Sequence, residues 1–105
     1  MDLGKGQLDL MLLAVLEQSP AHGYAIIAAL RARSDGGFDL PEGTVYPALH
    51  RLESRGWIVS TTTAVNGRRR RVYGLTSKGE RALRDGRRDW ERTVGQIRAV
   101  LAVAP

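Results

Sequence analysis

The chain holds no cysteine, two lysines and two histidines in 105 residues. Without cysteine there is no disulfide, no thiolate nucleophile and no cysteine-ligated zinc, and the composition fits a reducing compartment such as the cytoplasm. His22 and His50 are too few and too far apart in sequence to propose a metal set. The carboxylates are scattered among arginines as in surface ion pairs, and no nucleophile stands beside a base, so neither catalysis nor a cofactor is expected. No apolar run approaches the ~18 residues of a membrane-spanning helix. The apolar stretch Leu10 to Leu16 lacks the basic lead-in and small-residue cleavage site of a signal peptide.

What is present is ordinary for a folded domain: 43% hydrophobic and 26% charged residues. The length fits one domain, or a small core with an appended helix. The formal net charge of +5 is unevenly placed. Residues 1–67 hold 5 basic and 7 acidic side chains, whereas Arg68, Arg69, Arg70 and Arg71 are consecutive. A local cationic tip on an otherwise balanced chain points to a polyanion partner. Arginine outnumbers lysine 14 to 2, which a GC-rich genome explains equally well.

Hydrophobic spacing sets out the elements. Leu8, Met11, Leu12, Val15 and Leu16 form one face of a helix over about residues 7–17. Ser19-Pro20 reads as an N-cap and first residue of a second helix reaching Arg33, with Tyr24 as an aromatic wedge near its start. A third helix over about residues 43–55 turns Val45, Ala48, Leu49 and Leu52 inward. Its outer side holds Thr44, Tyr46, Pro47, His50, Arg51, Ser54 and Arg55. Pro47 is expected in the first turn of that helix, where its missing N–H has no partner to lose. Asn66-Gly67 is a two-residue hairpin turn that pairs Val65 with Arg68, Ser60 with Tyr73 and Ile58 with Leu75. From Thr76 the chain is helical nearly to its end, capped by Thr76 or Ser77, with Ser77 and Glu80 resembling a capping box. Leu83, Trp90, Val94, Ile97 and Leu101 form a near-heptad seam on this last helix, longer than the preceding core can cover, so it calls for a partner.

Three helices, a hairpin with a basic tip and a further helix define an α+β, mainly helical fold: a winged helix-turn-helix over residues 1–75 and a dimerisation helix over 76–105. In that arrangement the third helix enters the major groove of double-stranded DNA and the hairpin grips adjacent backbone. Thr44, Tyr46, Pro47, His50 and Arg51 are then the candidate DNA contacts on the helix, with His50 and Arg51 as base readers. Arg68 to Arg71 are candidate phosphate contacts. Strand alternation splits these four into Arg68 with Arg70 and Arg69 with Arg71, and the sequence leaves open which pair faces DNA. Tyr24 and Tyr73 read as packing residues and His22 as a local polar contact.

The sequence also resembles the PadR family of bacterial transcriptional regulators, in its short branch with a single C-terminal helix. The resemblance rests on LLAVL at 12–16, HGYAI at 22–26, GTVYPALHRLESRGWI at 43–58, GRRRRVYGLTSKGERAL at 67–83 and Trp90. Val72 departs from it, standing where many relatives have a second aromatic beside Tyr73. The resemblance implies a homodimeric, ligand-responsive repressor on a roughly palindromic operator, paired through its last helix with help from the first. It also implies that Trp90, near the dimer axis, stacks on a flat hydrophobic or aromatic effector. Such a protein resides in the cytoplasm and joins the nucleoid when bound to DNA. Two other readings stand beside this one: a winged-helix module for protein partners, and an aromatic-ligand-binding protein without DNA binding.

Overall fold

A computed structural model describes residues 4–102; residues 1–3 and 103–105 of the expected segments lie outside the described residues. In chain order the elements are α1 (Lys5–Gln18), β1 (Ala21–His22), α2 (Gly23–Arg33), α3 (Glu42–Ser54), β2 (Ile58–Val65), β3 (Arg68–Leu75) and α4 (Ser77–Leu101). The core forms where α1, α2 and α3 converge on the base of the hairpin. Leu12, Leu13 and Leu16 of α1 meet Ile26 and Leu30 of α2, Val45, Leu49 and Leu52 of α3, and Ile58 and Tyr73 of the sheet. This is the α+β winged-helix architecture expected from the order of elements.

The hairpin register is the expected one, with Val65 opposite Arg68, Ser60 opposite Tyr73 and Ile58 opposite Leu75. Asn66 and Gly67 at the turn have φ of 52° and 76°, the left-handed pair of a two-residue turn that matches strand twist. A third strand was not legible in the sequence. Ala21 and His22 pair antiparallel with Tyr73 and Val72, which gives the sheet the order β1-β3-β2. That pairing corrects the start of α2. Instead of beginning at Pro20, the helix begins at Gly23, and the Nδ1 atom of His22 accepts the Ala25 N–H at 3.3 Å as its N-cap. An N-cap must hold extended backbone, which the strand pairing of His22 already supplies.

Two further boundaries differ from expectation. Helix α3 starts at Glu42, so Pro47 is its sixth residue and lies in the second turn rather than the first. The hydrogen bond it forgoes would have reached the carbonyl of Gly43, an exposed residue open to solvent. At α4, Thr76 is the cap: its Oγ1 accepts the Gly79 N–H at 3.0 Å and donates to the Gly56 carbonyl at 2.7 Å. The third helical residue is therefore Gly79, not Glu80, and Ser77 with Glu80 forms no capping box.

Gly79 also sets how closely α4 approaches the hairpin base. A Cβ there would overlap the Trp57 carbonyl oxygen and come within 2.9 Å of a Leu75 methyl. Gly95, on the far part of the same helix, faces open space. We expect Gly79→Ala to lower stability by about 1–3 kcal/mol through overpacking. Gly95→Ala should raise it by roughly 0.5–1 kcal/mol through the lower entropic cost of ordering the helix. Urea unfolding midpoints of the two variants measure both.

Candidate nucleic-acid interface

Thr44, Tyr46, Pro47 and His50 lie exposed on α3, away from the inward row of Val45, Ala48, Leu49 and Leu52. The Tyr46 ring is held against the first residue of α2. A Cβ on Gly23 would strike the phenol, with the ring carbon Cε1 2.8 Å away. The sequence assigned Tyr24 to packing, but it is 67% exposed on the outer side of α2. The Glu42 carboxylate accepts from its hydroxyl and, with its charge, raises the Tyr24 pKa above the ordinary phenol value. Tyr73 is buried as expected. Burial pushes its pKa up, against the pull of the Arg71 charge.

The wing is tied to α3 from one side. The backbone N–H and hydroxyl of Ser60 both donate to Glu53 Oε2, at 3.2 and 2.6 Å. Ser60 pairs with Tyr73, and side chains two apart on a strand share a face, so Arg71 and Arg69 continue that face toward the tip. Arg68 and Arg70 lie on the opposite face with Val72. All four arginines are exposed. Arg69 and Arg71 are therefore on the side of the hairpin that meets α3.

Arg51 departs from its expected place among exposed base readers. Its side chain turns back to α1, where Nε donates to Asp9 Oδ2 at 3.4 Å and a terminal nitrogen donates to Oδ1. Arg55 donates to the same Oδ2 at 3.4 Å, and its guanidinium lies 5.1 Å from the centre of the Trp57 ring. Asp9 itself is 5% exposed. A buried carboxylate requires partners, and these two arginines supply them. Asp9 was missed in the sequence, although an acidic residue in the otherwise apolar stretch Leu8 to Leu16 was a visible signal.

The seam residues of α4 fall into two groups. Leu83, expected between subunits, is 1% exposed inside the core of its own chain, because the first turns of α4 pack on α1. Farther along, Arg87 makes a bidentate bridge to Glu17 of α1 at 2.9 and 3.0 Å. Trp90 is 45% exposed and lines a shallow cleft of about 220 Å³ with Gly6, Gln7, Leu10, Gly86, Asp89 and Thr93. Val94 is half-buried. Ile97, Val100 and Leu101 stand exposed on the free end of the rod. Among the described residues no cluster of three histidines or carboxylates gathers to hold a metal, and no helix is long and apolar enough to cross a membrane.

Three helices with a basic two-stranded wing, an exposed α3 face beside that wing and a long trailing helix define a winged-helix regulator. Residues 12–85 match the transcriptional regulator PadR-like family, and the chain belongs to it. A transcriptional regulator of Mycobacterium tuberculosis, Rv3488, is 44% identical over 61 residues, covering 58% of this chain and 57% of that protein. The structure of a transcriptional regulator from Clostridium thermocellum superposes with a TM-score of 0.86 at 29% identity, over 92% of this chain and 95% of that one. A PadR family transcription regulator from Clostridium difficile R20291 is 33% identical, with a TM-score of 0.72, over 88% of this chain and 94% of that one. The family is one of transcriptional regulators, not of enzymes.

The contact between Tyr24 and Glu42 is directly measurable. Replacing Glu42 by Gln removes the charge that opposes tyrosinate, so the Tyr24 phenol should ionise at lower pH than in the parent protein. Ultraviolet titration of tyrosinate, with Tyr24→Phe identifying the signal, checks this.

Proposed function

We propose that two copies of this chain bind double-stranded operator DNA and repress transcription, and that a small aromatic effector releases them. The observation that carries the DNA reading is the adjacency of two surfaces. The exposed Thr44, Tyr46, Pro47 and His50 face of α3 stands beside the wing face that bears Arg69 and Arg71. On this reading α3 enters the major groove, His50 and the hydroxyls of Thr44 and Tyr46 meet base edges or nearby phosphates, and Pro47 makes apolar contact. The wing arginines neutralise backbone phosphates, with Arg69 and Arg71 nearest the helix and Arg68 and Arg70 on the other face. Arg51 leaves the set of base readers because Asp9 engages it.

The dimer reading rests on α4. Ile97, Val100 and Leu101 form an apolar end that the described residues leave exposed, and Trp90 and Val94 continue it toward the core. Pairing of these helices would set the two α3 faces about one DNA turn apart, roughly 34 Å. The cleft beside Trp90 has apolar walls and an indole, which suits a flat aromatic ligand. A ligand there lowers operator affinity only if it binds the two head spacings unequally. The protein would act in the cytoplasm, on the nucleoid.

Selection from a random duplex pool, followed by titration at several salt concentrations, tests the DNA reading. Replacing Arg68 to Arg71 by Ala should weaken all duplexes and flatten the log–log salt slope by about 0.9 for each phosphate no longer neutralised. Replacing only Arg69 and Arg71 should account for the larger part of that change. An unchanged slope in the fourfold variant removes the wing from the interface. Failure to select any duplex favours the protein-interaction or ligand-binding readings instead. Sedimentation should give a dimer at micromolar concentration, and Ile97→Asp with Leu101→Asp should give a folded monomer.

A further inference from the structure

We infer that Asp9 is a positioning residue that withholds two arginines of α3 from the DNA backbone, so that this helix contributes sequence preference while the wing contributes charge. The inference rests on the DNA-binding function proposed above and adds to it how the reading helix divides its charges. Arg51 and Arg55 are basic side chains on the element that would lie in the groove, where any free guanidinium within reach of a phosphate binds regardless of sequence. At spacings of seven and four they share one flank of α3 with Thr44, a proposed contact. Left to themselves they would add non-specific affinity at that flank.

The geometry prevents this. Asp9 is buried on α1, and both carboxylate oxygens face α3: one takes an Arg51 nitrogen, and the other takes Arg51 Nε and an Arg55 nitrogen, each at 3.4 Å. The Arg51 side chain is 27% exposed as a result. Arg55 is held a second time, its guanidinium over the Trp57 ring at the hairpin base. Both arginines are thus directed along the protein surface toward α1 and Trp57. Removing the carboxylate takes from both cations the only acidic partner they have among the described residues and leaves Arg55 with the Trp57 ring alone.

The test compares the wild-type chain, Asp9→Asn, and the triple variant Asp9→Asn, Arg51→Gln, Arg55→Gln. Each is titrated against a duplex selected from a random pool by the wild-type protein and against an unrelated duplex of equal length. In Asp9→Asn the released arginines should tighten the unrelated duplex several-fold and steepen its salt slope by about 0.9 per phosphate recruited, so the ratio of the two affinities falls. In the triple variant the slope should match wild type, although two cations have been removed, because they touch no phosphate in the parent. A merely structural Asp9 would instead weaken both duplexes together with no steeper slope, and that result overturns the inference. A triple variant whose slope flattens by one or two steps of about 0.9 overturns it as well, and this arm carries no unpaired buried charge if Asp9→Asn alone folds poorly. A wild-type protein that binds neither duplex overturns the proposed function and this inference together. Wild-type binding with either contrary result overturns the inference alone.

Discussion

Asp9 is the one buried charged side chain among the described residues, and the relative placement of the helices depends on how it is satisfied. A carboxylate taken out of water is tolerated only with charge-assisted partners, and losing one partner of such a group costs far more than a surface ion pair is worth. Here one partner comes from α3, the other from its C-cap and the acceptor from α1, so the ion pairs tie the two helices together. The same α1 meets α4 through the Glu17–Arg87 bridge and through Leu10, whose methyl occupies the space that a side chain on Gly86 would fill. One helix is therefore the common wall between the proposed reading face and the rod.

This wall explains why the chain could be read well in some places and poorly in others. The hairpin was legible down to its register because Asn66-Gly67 selects its own turn and the strand period does the rest. The inward face of α3 was legible for the same local reason, whereas the row expected on α1 omitted Leu13, which is buried, and included Met11, which is only partly so. The two residues of β1 were not legible, since a bridge so short has no period and exists only because β3 lies alongside. Arg51 shows the limit of face assignment. Helical spacing said that it leaves the core, but not that it bends toward an acid 42 residues earlier in the chain. Leu83 fails in the opposite way: spacing put it on the apolar row of α4, yet that row begins inside the core of its own chain.

On the proposed DNA-binding reading, a division of labour follows from these contacts. The α3 surface that remains open carries hydroxyls, an imidazole and a proline ring, groups that distinguish one edge from another through geometry. The wing carries net charge with little geometric discrimination. Close backbone approaches keep the two in register with each other: Gly23 lets the Tyr46 ring lie on α2, and Gly79 lets α4 press on the carbonyl of Trp57. Neither glycine sits at a turn.

The four consecutive arginines have a consequence for the wing as a physical object. In an ordinary strand, sliding the pairing by one residue exchanges two chemically different faces and is punished at once. Between Arg68 and Arg71 the exchange replaces guanidinium by guanidinium, so the outer half of β3 is invariant to such a slide. Registration is left to Tyr73, Leu75 and the turn itself. The outer wing thus carries guanidinium groups on both of its sides, and its register is held from the inner end and the turn alone.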